Sequence, residues 1–203
     1  MRQGQCQEAF APADTRVPWV ELPAPRAPLV WAVCPGTPVG DVWVGASACG
    51  VVAVAWAEKR VAAPGTSPDP AATPEEVRAA ADWAGQAVAE LSDYFRGARR
   101  RFTVPVAVWG TPFQLAVWRV LCTIPYGATW SYADVAAALG RPQAVRAVGQ
   151  ANRANRVPIL VPCHRVIGKD GSLVGYAGRD LDRKAVLLAH ERAGASGAGR
   201  AQG

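Results

Sequence analysis

Apolar positions along this chain change their period several times, and each change marks an element. Between residues 29 and 59 the runs LVWAV, DVWVGAS and VVAVAWAEK gather branched and aromatic residues over strand-like lengths, with Pro-Gly and Cys-Gly between them. They predict three strands. The longest uncharged stretch, Val42 to Ala57, reads as a hairpin, because Gly45, Ser47 and Gly50 interrupt it and it falls short of the roughly 20 residues that span a bilayer. After the loop VAAPGTSPDPAA, the positions Val77, Ala81, Ala84, Val88, Leu91 and Phe95 step by four and three, which predicts a helix with one face on the sheet. Thr73-Pro74-Glu75-Glu76 opens it with an N-cap, a first-turn proline and a capping-box glutamate.

The second half repeats this opening. Thr111-Pro112-Phe113-Gln114 predicts a helix to about Cys122, and Ser131-Tyr132-Ala133-Asp134 predicts another that stops at Gly140. Pro142 restarts a helix over AVRAVGQANRA, giving the outline of a helix-turn-helix. On this second helix Ala144, Ala147, Gly149 and Ala151 are small, while Arg146 and Arg153 lie two turns apart and project on one side. Small residues let a backbone come close to something, either a neighbouring helix or a narrow groove.

Charge adds to this picture. The net charge of +6 is split unevenly: residues 1–100 carry 9 Lys+Arg against 11 Asp+Glu, whereas residues 101–203 carry 13 against 5. Most of the cations in the basic half are arginines, whose forked guanidinium suits phosphate oxygens, so a polyanionic partner is expected. Five cysteines, at 6, 34, 49, 122 and 163, form no CxxC and no even framework, which favours a reducing compartment and a soluble, cytoplasmic protein. The first residues lack the apolar core of a signal peptide.

The segment ILVPCHRVIG then places Cys163 beside His164, one of two histidines in the chain. A cysteine after an apolar run is usually an inert core residue. The neighbouring imidazole and Pro162, which fixes the backbone before the sulfur, argue for a reactive thiol instead. Successive residues of a strand face opposite ways, so contact between the two needs a turn or a bridging water. Glu191, in LDRKAVLLAHER, sits at the edge of an apolar stripe, near the expected helix C-terminus where the macrodipole disfavours a carboxylate. It is the candidate third partner.

Over residues 91–192, GTPFQLAVW, IPYGATWSYADVAAALGRPQAVRAVGQANRANRVPILVPCHRVIGKDGSLVGYAG and LLAHE closely resemble the O6-alkylguanine-DNA alkyltransferases, also called methylated-DNA–protein-cysteine methyltransferases. The resemblance implies an α+β fold: an N-terminal RNase H-like α/β supporting domain (29–101) after an irregular Pro-rich lead (1–28), then a mostly helical domain (102–192) with a winged-helix-like helix-turn-helix, and a flexible tail (193–203). It implies DNA repair by single, irreversible transfer of an alkyl group from O6-alkylguanine, and from O4-alkylthymine, to Cys163. His164 would act through water as the base, Glu191 would hold the imidazole, and Asn155 would brace the segment.

By the same resemblance Tyr132 would donate to guanine N3, the backbone of Cys163 and Val166 would read the base edge beside Pro158, and Tyr176 and Ala177 would close over it. Arg146 would fill the stack left by a flipped nucleotide, with Ala147, Gly149 and Arg153 on the minor-groove surface. The expected partner is double-stranded DNA carrying O6-alkylguanine, met without a membrane and without a cofactor by a monomer that can assemble cooperatively on the duplex. The chain departs from the family at Arg179-Asp180, where Gly-Gly is usual, and at Arg156, where proline commonly follows the asparagine. No histidine precedes His164, so Cys6, Cys34 and Cys49 lack partners for the zinc site of some relatives, and no metal is expected. Two other chemistries compete: a thiol hydrolase pairing Cys163 with His190, and a non-catalytic lesion binder.

Overall fold

The computed structural model describes residues 17–24, 27–56, 69–173 and 181–198. The chain divides into two units, Met1–Asp93 with Phe102–Trp109, and Tyr94–Arg101 with Gly110–Gly203. Among the described residues no helix is long and apolar enough to cross a membrane.

The first unit is a five-stranded sheet carrying one long helix. Strands β1 (Trp19–Glu21), β2 (Val30–Thr37), β3 (Gly40–Ser47), β4 (Gly50–Trp56) and β5 (Val106–Val108) lie in the order β1-β5-β4-β3-β2. The three predicted strands are β2, β3 and β4, which form an antiparallel meander with the expected hairpin between β3 and β4, and β5 runs parallel to both β1 and β4. Three expectations change here. The stretch expected to be an irregular lead contains β1, because Trp19 and Val20 are buried by pairing with β5. β5 lies beyond the expected boundary at residue 101, since its backbone completes this sheet. Pro35-Gly36 is not the hairpin turn but lies within β2, where the register shifts between Cys34 and Thr37.

Helix α1 (Pro74–Phe95) starts with the predicted capping box: Thr73 N donates to Glu76 Oε2 at 2.9 Å and Glu76 N donates to Thr73 Oγ1 at 3.2 Å. Its buried stripe is Ala80, Ala84, Ala87, Leu91 and Tyr94, rotated from the predicted one, with Ala81 exposed. Alanines win these positions because Ala80 and Ala84 pack directly on Ala46 of β3. Cys49 is disulfide-bonded, against the expectation of reduced thiols, whereas Cys34, Cys122 and Cys163 are free.

In the second unit α2 (Pro112–Thr123) and α3 (Tyr132–Ala138) both begin with complete capping boxes, from Thr111 and Ser131. Gly140 ends the second of these with φ +67°, a value L-residues with side chains rarely adopt. A 3-10 turn at Pro142–Ala144 leads into α4 (Val145–Arg153), so the helix-turn-helix outline is present. Trp118 Nε1 on α2 donates to the carbonyl of Ala151 at 2.8 Å and fixes α4 against α2. After α4 the chain passes through a second 3-10 turn (Cys163–Arg165) into β7 (Val166–Ile167), which pairs parallel with β6 (Trp130–Ser131). α5 spans Leu181–Ala198, so the expected tail boundary at 192 falls inside a helix and Glu191 lies mid-helix, away from the unfavourable end of the dipole.

Candidate active site

The sulfur of Cys163 is delivered by a backbone that turns twice. Ile159 has φ +74°, a left-handed value that costs a β-branched residue on the order of 1–3 kcal/mol. Burial of Ile159 and a hydrogen bond from Val161 N to Val157 O at 2.9 Å hold that turn closed. Asn155 braces it further: its Oδ1 accepts from Val157 N at 3.0 Å, and its Nδ2 reaches the Val161 carbonyl at 2.9 Å and Cys163 Sγ at 3.0 Å. One side chain thus makes three hydrogen bonds within this turn. Pro158 is buried in the same turn, in an isolated bridge with Val161.

Because Cys163–Arg165 is a 3-10 turn rather than a strand, Cys163 and His164 do not alternate across a sheet. Cys163 is 2% exposed. Burial pushes its thiol up to about 11, against the Asn155 hydrogen bond, the Lys184 charge and the backbone amides of Cys163 and His164, all of which favour thiolate. His164 and Glu191 are both fully buried, and His164 Nε2 lies 2.9 Å from Glu191 Oε1. A carboxylate only accepts, so Nε2 carries the proton and Nδ1 is the acceptor nitrogen. Burial lowers the imidazole's proton affinity, the Glu191 contact raises it, and the cations of Arg165 and Lys184 lower it again; the net direction is down.

Glu191 collects more than the histidine. Its Oε1 accepts from Tyr94 Oη at 2.9 Å and from Arg165 Nη2 at 2.8 Å, and its Oε2 accepts from Arg165 Nε and the Gly127 amide, each at 2.9 Å. Burial alone would raise this carboxyl, but the hydrogen bonds and charges of His164 and Arg165 hold it far below the usual range. His190, the histidine of the competing hydrolase reading, instead meets the carbonyl of Tyr94 at 2.8 Å.

On the other side of the sulfur, Tyr132 opens α3 beside β6. Burial, then the nearby Cys163, raise its phenol to about 12, and Asn152 hydrogen-bonds it. Lys184 is fully buried on α5, with Nζ 2.6 Å from the Val166 carbonyl and 5.9 Å from the Tyr132 ring centre. Desolvation lowers it to about 8. Asn152 Nδ2 also reaches the Cys163 carbonyl, at 3.3 Å.

On α4, Val148, Ala151 and Asn152 are buried while Arg146, Ala147 and Arg153 are exposed. The small residues therefore divide. Ala151 packs inward. A Cβ at Gly149 would meet only the Tyr132 ring, at 3.9 and 4.0 Å, so internal packing does not require glycine there. Tyr176, Ala177 and Arg179-Asp180 lie outside the described residues.

Sequence reasoning thus named Cys163, His164, Glu191, Asn155 and Tyr132, which the structure gathers at one place, and passed over Asn152, Arg165, Lys184 and Tyr94. Signals for two of these were available. Lys184 stands seven residues, two helical turns, before Glu191, and Arg165 follows His164 directly. Nothing local marked Tyr94, which meets Glu191 across 97 residues.

Residues 112–193 match the family model described as "6-O-methylguanine DNA methyltransferase, DNA binding domain". The constitutive methylated-DNA–protein-cysteine methyltransferase of Bacillus subtilis is 57% identical over 107 residues, which are 53% of this chain and 65% of that protein, so the match spans just under two thirds of its length. The crystal structure of Mycobacterium tuberculosis O6-methylguanine methyltransferase superposes with a TM-score of 0.63 at 38% identity, over 77% of this chain and 89% of that one. The crystal structure of Mycobacterium tuberculosis OGT in complex with DNA gives 0.66 at 36% identity, over 81% of this chain and 93% of that one. With a site of this geometry and likeness to solved structures along most of their length, the chain belongs to the methylated-DNA–protein-cysteine methyltransferase family.

Proposed function

We propose that this protein repairs DNA by moving the alkyl group of O6-alkylguanine onto its own Cys163, once per molecule. The observation that carries the reading is the sulfur itself, held by Asn155 at 3.0 Å beside a buried His164–Glu191 pair. A thiol pushed up to about 11 needs help at neutral pH. His164 Nδ1 takes the proton through a bridging water, and the Sγ lone pair then attacks the alkyl carbon. The C–O6 bond breaks, its electrons pass to the guanine, and a thioether remains. Tyr132, raised to about 12, stays protonated and donates to the ring nitrogen that becomes more basic as the guanine leaves. No cofactor enters, because the alkyl group comes from the DNA.

The target atom is inaccessible within a stacked duplex, so the nucleotide rotates out at a cost of a few kcal/mol. The first unit serves as an RNase H-like support, and the second presents a winged-helix-like helix-turn-helix. Exposed Arg146 fills the vacated stack, Arg153 on the same side takes a phosphate, and Ala147 and Gly149 let α4 approach the groove floor. Val166 and Pro158 line the base pocket. The protein acts as a monomer on double-stranded DNA in the cytoplasm, and O4-alkylthymine is the second lesion.

Intact-mass measurement after incubation with duplex containing O6-methylguanine tests the reading. One added methyl, mapped to Cys163 and absent from Cys163→Ser, is the expected result; no addition, or turnover without addition, overturns it.

A further inference from the structure

In the proposed reaction Glu191 orients His164, yet five hydrogen-bond donors converge on its two oxygens and only one of them is the histidine. A carboxylate offers about four lone-pair sites, so this group is saturated. Arg165 meets it with Nε and Nη2 in a forked contact while Nη1 donates to the Ile124 carbonyl at 2.7 Å, which fixes the guanidinium in place. Tyr94 supplies a neutral donor to Oε1, the oxygen that also faces His164, and its ring stacks edge-on against Tyr126. From this arrangement we infer that Arg165 and Tyr94 are positioning residues that commit the Glu191 charge elsewhere and so keep His164 a neutral imidazole able to take the thiol proton; the inference rests on the reaction proposed above.

The physical reason is a balance of charge around one buried ring. The groups acting on His164 are Glu191 and Lys184 from α5 and Arg165 from its own turn, beside its chain neighbour Cys163; Tyr94 from the end of α1 bonds to Glu191, and the ring of Tyr126 from the loop before β6 lies against the Arg165 guanidinium. A lone buried carboxylate at 2.9 Å would make the ring an imidazolium, which has no lone pair for a proton. Arg165 at 2.8 Å turns that carboxylate into a net-neutral pair, so its pull on a second proton is largely cancelled. During reaction the thiol proton passes to Nδ1, and the resulting imidazolium is stabilised by Glu191 without the proton moving on, since the saturated carboxylate is held far from protonation.

The test follows the His164 ring by NMR through a pH titration of the full chain carrying Cys163→Ala, without DNA. Arg165→Met should raise the His164 midpoint by on the order of 1–3 pH units, the usual effect of an opposite charge at this range once its competitor is gone. Arg165→Lys, which keeps the cation, should bring the midpoint back towards its original value. Tyr94→Phe, nearly isosteric, should raise it by less than Arg165→Met does. An unchanged or lowered midpoint in Arg165→Met overturns the inference, and if that variant does not fold, an unchanged midpoint in Tyr94→Phe does so. With Cys163 restored, the acid limb of the single-turnover rate should move to higher pH in Tyr94→Phe while the high-pH rate is kept. The titration needs no alkyl transfer, so a protein that transfers nothing would fail the proposed function while the role of Arg165 is still decided by the ring.

Discussion

Asn155 Nδ2 lies 3.0 Å from Cys163 Sγ and 2.9 Å from the carbonyl of Val161, so one amide group both shapes this turn and touches the proposed nucleophile. A donor at this distance stabilises thiolate over thiol. Asn155→Asp keeps the size but replaces the donor with a negative charge, and should raise the thiol pKa and slow methyl transfer by tenfold or more. Asn155→Ala should in addition lose three hydrogen bonds, destabilising the fold by roughly 2–4 kcal/mol at about 1 kcal/mol each with burial of the freed groups. Single-turnover rates and denaturant unfolding read the two effects separately; a full rate in Asn155→Asp would contradict the role of the amide.

The same contact predicts what the product costs. A methyl added to the sulfur of Cys163, a residue 2% exposed, enters packed surroundings in which Asn155 Nδ2 stands 3.0 Å from that sulfur, closer than the ~3.5–4.0 Å of an apolar contact. Overpacking of this kind costs about 1–3 kcal/mol, and the loss of the bond to sulfur adds to it. Methylated protein should therefore melt several degrees below unreacted protein, at roughly 2–4 °C per kcal/mol for a chain of this size. Thermal scans before and after reaction, with the DNA removed, measure this; an unchanged midpoint would mean the turn relaxes without strain.

Lys184 predicts a pH dependence of the fold itself. Desolvation lowers its amine from 10.5 to about 8, so between these values the unfolded chain holds a proton that the folded chain has released. Stability contributed by this group is thus lowest below about pH 8 and rises with pH up to about 10.5, by at most on the order of 3 kcal/mol. Lys184→Met should flatten that rise in unfolding experiments between pH 7 and 10 and, by removing a cation that favours the Cys163 thiolate, slow methyl transfer. An unchanged slope with pH would place the titration elsewhere.

Helix starts were legible because their physics is local: each capping box lies within four residues, and all three predicted from Thr73, Thr111 and Ser131 form. The nearness of Cys163, Asn155, His164 and Glu191 was legible through the family motif around Cys163. What escaped depends on distant partners. β1 is three residues long and is a strand only because β5, more than 80 residues later, pairs with it. The α1 stripe turned because Ala80 and Ala84 meet Ala46, a fit that periodicity alone does not weigh. Arg165 was passed over because its partner Glu191 lies 26 residues on, and the α5 boundary was placed too early because Gly194 and Gly197, residues of a type that commonly ends helices, lie inside a helix that runs on to Ala198.

Gly149 separates the two reasons a helix can be built from small residues. It lies inside α4 with ordinary room: a Cβ would come no closer than 3.9 Å to the Tyr132 ring. Alanine there should fit the folded protein and, by reducing the entropy of the unfolded chain within a helix, stabilise it by about 0.5–1 kcal/mol. If α4 enters a minor groove only ~6 Å wide, however, the same methyl points at DNA and should weaken duplex binding by about tenfold, or ~1.4 kcal/mol. Gly149→Ala is thus expected to melt at the same temperature or higher, to react normally with O6-methylguanine as the free base, and to repair duplex more slowly. A variant that loses stability would return Gly149 to a packing role, and one that repairs duplex at the original rate would place the α4 backbone away from the groove floor.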